Sequence, residues 1–135
     1  MRKVLESANS YSEAVELFKN QPFANRCYLI VSGVNRNEGV VITRGRSTVD
    51  NISTLNDDDW FLVQTNYDRD LPDPADDYRR VPAEEKLKKI GKDNVDRNSL
   101  FDIILSQIPN WRPTETITSA VLEPQGDYFN TTIWL

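Results

Sequence analysis

The sequence predicts an α+β fold in which helices pack on antiparallel sheets. Apolar residues recur at helical spacing in some segments and at strand spacing in others, and the elements run helix, strands, helices, strands. In that order neighbouring strands join by hairpins rather than by βαβ crossovers. Size and composition agree. A chain of 135 residues with 39% hydrophobic and 27% charged residues reads as an ordinary globular chain, long enough to bury about two-thirds of its unfolded surface. One domain, residues 1–135, is expected.

Ser10 or Ser12 can cap a first helix whose apolar residues Ala14, Val15, Leu17 and Phe18 share one face, stopped by Asn20 and Pro22. The β-rich runs CYLIVSG (27–33) and EGVVITR (38–44) are joined by VNRN, a polar connection of hairpin length. STVDNIST (47–54) supplies a third strand. NDDD (56–59) turns the chain into a fourth, DWFLVQTNY (59–67), in which the alternating apolar positions Phe61 and Val63 suit a half-buried strand. Pro82 suits the first turn of a helix over AEEKLKKIGK, which Gly91 ends. NSLFDIILSQI (98–108) is a further helix, capped by Asn98 or Ser99 and closed by Pro109. TETITSAVLE (114–123) and DYFNTTIWL (127–135) are the last two strands, with PQGD as their turn.

Several function classes are excluded by what the chain lacks. It has one cysteine and no histidine, so an internal disulfide, a cysteine-based zinc site, and Ser-His or Cys-His catalysis within the chain are all ruled out. A net charge of −5 without a basic cluster argues against nucleic acid. The longest apolar run, Tyr28 to Val31, is too short to span a bilayer. DRDLPDPADD offers carboxylates but lacks the glycine and the ligand positions of a calcium loop, so neither a metal nor a cofactor is expected. Glu6, Asn9, Ser10 and Glu13 break any secretory h-region. The expectation is a cytoplasmic protein for the chain as it stands, or a lysosomal or secreted one if it is a fragment of a longer precursor. The sequons Asn51-Ile52-Ser53 and Asn130-Thr131-Thr132 would suit the second case.

The chemistry concentrates in FLVQTNYDRDLPDPADDYRR (61–80), where a strand-like start runs into a crowd of charges. Asn66, Tyr67 and Asp68 stand where a strand end could hold side chains rigidly for binding or catalysis. They also suit a plain turn, because short polar side chains bond nearby backbone. Asp76, Asp77, Arg79 and Arg80 likewise fit an exposed ion-pair cluster worth about 0–1 kcal/mol per pair.

The segments EGVVITRGR, WFLVQTNYD, DDYRRVPA, SLFDIILSQIP and TITSAVLEP occur in the order and spacing of the acid ceramidase and N-acylethanolamine-hydrolysing acid amidase family. The resemblance runs over about residues 10–134, and its most specific part is VQTNYD followed by the DD and RR pairs. It implies the C-terminal half of a catalytic subunit with the layered αββα fold of the N-terminal-nucleophile hydrolases. It further implies an amidase acting on N-acyl amide lipids through an N-terminal cysteine, with that residue's own α-amine as base. Asn66 matches the family residue that helps hold the oxyanion, and Arg79 one that shapes the polar surroundings of the nucleophile. Asp76, Asp77 and Arg80 would support them, with the inserted Tyr78 leaving open which aspartate meets which arginine.

The segment that carries the family nucleophile is absent from these 135 residues. Cys27 does not replace it: it lies in an apolar strand run and reads as a buried core thiol. Three readings follow. The chain is one part of an amidase whose N-terminal half or second subunit is its partner; or it is a catalytically dead binding module of that descent; or it shares only the architecture. In the first a lipid-like amide is the substrate, in the second a partner or a lipid-like ligand is bound, and an apolar face left open would recruit the missing half or a second copy of the chain.

Overall fold

In a computed structural model that describes residues 2–105 and 117–134, the chain divides into two compact units, Met1–Leu62 and Val63–Leu135. The first unit begins with two helices, α1 (Arg2–Ser7) and α2 (Tyr11–Asn20). The hydroxyl of Ser10 accepts the Glu13 N–H and caps α2, satisfying one of the donors a helix start leaves orphaned. Sequence periodicity misses α1, because six residues with one buried side chain, Val4, show too little of a repeat.

Strands β1 (Cys27–Ser32), β2 (Gly39–Arg44) and β3 (Val49–Thr54) form an antiparallel sheet in that order. The register places Leu29 opposite Ile42 and Ile42 opposite Ile52, so these three side chains share a face. Leu29, Val40 and Ile42 pack there with Val4 and Phe18 of the two helices, which is the core of this unit. The β1–β2 turn is closed by Gly33 N–H donating to Glu38 O at 2.9 Å, with Asn37 in the left-handed region. The expected turn at 56–59 is present, with Asn56 Oδ1 accepting from the Asp58 and Asp59 amides.

The fourth strand expected over 59–67 does not form. Residues 59–65 carry no regular secondary structure, and Trp60 to Thr65 are each half-buried instead of alternating. The carbonyls that a neighbouring strand would use are taken by side chains: Arg69 donates to Val63 O, and Gln64 Nε2 donates to Thr65 O and Tyr67 O. With these carbonyls satisfied locally, they are not free for a ladder and strand propensity is overridden there.

In the second unit α3 (Arg80–Ile90) carries Pro82 in its first turn and ends at Gly91, whose φ of 80° favours glycine. A single α-turn, Arg97–Ser99, continues as a π-helical stretch, Leu100–Leu105. Its cap is Asp96, not Asn98 or Ser99: Asp96 Oδ1 accepts the Ser99 N–H at 2.7 Å while Ser99 Oγ accepts the Asp96 N–H at 2.9 Å. The helix closure at Pro109 and the start of the strand at 114–116 lie outside the described residues. Strands β4 (Thr118–Glu123) and β5 (Tyr128–Ile133) form an antiparallel hairpin around a 3₁₀ turn, Pro124–Gly126. Trp134 N–H extends the pairing to Ile117 O, and its ring stacks on Phe101.

Candidate functional site

Residues 63–81 are a looped segment that returns on itself to start α3. Because the fourth strand is absent, Asn66 sits in an exposed bend rather than at a sheet rim. Local turns shape the loop: Leu71 N–H donates to Asp68 O, Asp77 N–H to Pro74 O, and Arg79 N–H to Asp77 O. Pro72 and Pro74 stiffen the stretch between these turns.

The structure brings Asn66 and Arg79 together across 13 residues, with Arg79 Nη2 donating to Asn66 Oδ1 at 3.2 Å. The same guanidinium is gripped by Asp77, whose Oδ2 accepts from Nη2 at 2.7 Å and whose Oδ1 accepts from Nε. This fork-on-fork geometry fixes the plane of the guanidinium. Asp77 is 5% exposed, whereas Asp76 is exposed in the turn before it. A guanidinium has no acceptor, so Asn66 must present its carbonyl oxygen to Arg79. Its Nδ2 then points elsewhere, and among the described residues it donates to nothing.

Arg80 faces the other way. Its Nη1 donates to Asp68 O at 3.1 Å and its Nη2 to Leu71 O. Its Nε lies 3.1 Å from Asp73 Oδ1, a charge contact not aligned as a hydrogen bond, which leaves Oδ1 without a hydrogen-bond partner. Asp73 Oδ2 accepts the Val81 N–H at 3.0 Å. The pairing that Tyr78 left open is thus resolved: Asp77 takes Arg79, and Arg80 takes Asp73.

Sequence reasoning missed Gln64, Arg69 and Asp73. Gln64 and Arg69 bond backbone carbonyls, contacts that no spacing rule announces. Asp73, between two prolines, resembled one more loop carboxylate. Cys27 lies in the first unit, half-buried against the apolar cluster instead of fully buried. No group of three or more His, Cys, Asp or Glu residues among the described ones could hold a metal ion, and no described helix is long and apolar enough to cross a membrane.

No family model matches this chain. It is 40% identical to an N-acylethanolamine-hydrolysing acid amidase of Caenorhabditis elegans, over 100% of its own length and 39% of that protein's. With the enzyme of the same name from Oryctolagus cuniculus it shares 36% identity, over 98% of this chain and 37% of the relative. An acid ceramidase of Heterocephalus glaber is 38% identical over 76% of this chain and 27% of its own length. A solved structure of the Caenorhabditis elegans N-acylethanolamine-hydrolysing acid amidase ortholog superposes with a TM-score of 0.83 at 40% identity, covering 98% of this chain and 58% of that one. The chain is a homologue of these amidases that spans about two-fifths of the length of the first relatives, and its α+β fold is that of the matched part of the solved one.

Proposed function

We propose that this chain is part of a cysteine amidase that hydrolyses N-acyl amide lipids of the N-acylethanolamine or ceramide type, with Asn66 as an oxyanion donor and Arg79 as its partner. The observation that carries this is the hydrogen bond from Arg79 to Asn66 Oδ1, in a chain homologous to such amidases along its whole length. With its oxygen held, Asn66 offers Nδ2 as a donor, and a donor aimed at developing negative charge is worth about 3–4 kcal/mol in the transition state. The guanidinium of Arg79 adds positive potential, which favours a thiolate over a thiol nearby.

The attacking cysteine and its α-amine base come from a segment outside these 135 residues, so the chain alone is inactive. The outward face of β4 and β5, where Leu122 lies opposite Phe129 and Ile133 opposite Thr118, supports a need for a covering partner. All three of its large apolar side chains are exposed. A longer precursor would place the enzyme in a lysosomal or secreted setting.

The test is complementation. Co-expression with the N-terminal half of the nematode relative should give hydrolysis of an N-acylethanolamine, and Asn66→Ala should then lower kcat about 10²–10³-fold with little change in KM. Amidase activity of the isolated chain that disappears in Cys27→Ser would overturn the reading. A folded but inactive complemented complex would favour a binding module.

A further inference from the structure

We infer that Asp73 is a positioning residue for the Asn66–Arg79 pair, acting through Arg80 and the first turn of α3; the inference rests on the proposed role of that pair. Asn66 and Arg79 are the two ends of a loop, and their contact at 3.2 Å exists only if the loop closes in one geometry. The 12 residues between them, two of them prolines, do not close in a single way unaided, because ordering each residue opposes folding by about 1–2 kcal/mol.

Three sets of contacts define the closure, and they meet at Asp73 and Arg80. Arg80 reaches back to the carbonyls of Asp68 and Leu71, fixing the chain just after Asn66. Its own backbone adjoins Arg79. Asp73 sets where Arg80 can sit, through the charge contact at 3.1 Å, and holds the helix start through the Val81 N–H. That last bond replaces a local cap: Arg79, at the N-cap position, makes no side-chain cap bond, so a carboxylate eight positions earlier in the chain serves the orphaned donor. Both side chains are withdrawn from water, at 7% exposure for Arg80 and 1% for Asp73. An ion pair so buried does not slide between alternative partners, because separating the charges leaves each one desolvated.

Two features separate this role from simple stabilisation. The clasp ties the residue two after Asn66 to the residue one after Arg79. The Asp77 grip on Arg79 orients a guanidinium; Asp73 and Arg80 determine where that guanidinium is relative to Asn66.

Nuclear magnetic resonance of the whole chain, labelled with nitrogen-15 and carbon-13, tests this. In the wild type the Asn66 side-chain amide and the Arg79 guanidinium should show a mutual NOE. Asp73→Asn, which keeps shape and removes charge, should abolish that NOE and shift the Asn66 side-chain amide, while the β4–β5 amide resonances stay in place. Arg80→Lys, which keeps the charge opposite Asp73 and loses the fork onto two carbonyls, should do the same and is the second arm should Asp73→Asn unfold. A variant of either kind that stays folded and keeps the NOE overturns the inference, even if it melts at lower temperature. The functional reading fails separately, when complemented enzyme is indifferent to Asn66→Ala while the NOE still depends on Asp73.

Discussion

In the first sheet β2 is hydrogen-bonded by strand neighbours on both sides and β1 and β3 on one, and Leu29, Val40 and Ile42 fill the space under two helices. In residues 63–81 the carbonyls of Val63, Thr65, Tyr67, Asp68 and Leu71 each accept from a side chain, supplied by Arg69, Gln64 and Arg80. Both regions satisfy the same requirement that backbone polar groups find hydrogen-bond partners. The first meets it by repetition and the second by single residues. A repeating solution tolerates error, since neighbouring hydrogen bonds share the load; a clasp of individual side chains fails at one substitution. The second arrangement, however, can put chosen groups such as Asn66 and Arg79 at a chosen point without a strand to carry them.

The sharpest way to break this comparison is Arg80→Ala. It removes three contacts and leaves the Asp73 carboxylate buried without its counter-charge, which should cost about 3–5 kcal/mol, read by urea unfolding of the chain. Adding Asp73→Asn to it should recover part of the loss, because the orphaned charge is then gone. No recovery would mean that the backbone contacts matter and the ion pair does not. For the apolar region the matching change is Ile42→Ala, at a fully buried side chain. It should cost about 2–5 kcal/mol by transfer and cavity formation together, read by faster amide exchange across β1–β3. A larger effect there than at Arg80 would reverse the ranking of the two regions.

What the sequence made legible follows the same division. Helix α2, strands β1 to β3, the turn at 56–59 and the β4–β5 hairpin announce themselves because apolar spacing and turn residues repeat a pattern. The strand expected at 59–67 failed because Phe61 and Val63 mimic alternation while Gln64 and Arg69 take the carbonyls. At the candidate site, Asn66 and Arg79 were picked out by resemblance and Asp77 by adjacency. Asp73 was invisible, since nothing in DLPDP says which of its two aspartates turns inward. The Asp96 cap was also missed, though the D-x-x-S spacing at 96–99 was there to find.

Helix starts offer a finer contrast, because the first unit caps with a hydroxyl and the second with a carboxylate. Ser10→Ala should destabilise α2 by about 0.5–2 kcal/mol, and since a hydroxyl does not titrate, the loss should be the same at neutral pH and in mild acid. Asp96 behaves otherwise. Its carboxyl is held below the usual Asp range, chiefly by the Ser99 backbone N–H and then by the Ser99 hydroxyl. A folded-state value below the unfolded one means that the unfolded state takes up the proton first as pH falls. The contribution of this cap is therefore fully present above the ordinary Asp value of about 3.9 and is lost as pH falls through the lower folded value. Following the Ser99 amide resonance with pH should give a titration step centred below that of an unperturbed aspartate, and Asp96→Asn should remove the step while keeping a cap of similar reach. A step centred at or above the ordinary value would mean that the Ser99 bond does not favour the charged carboxylate, and the two caps would then differ in chemistry but not in their response to acid.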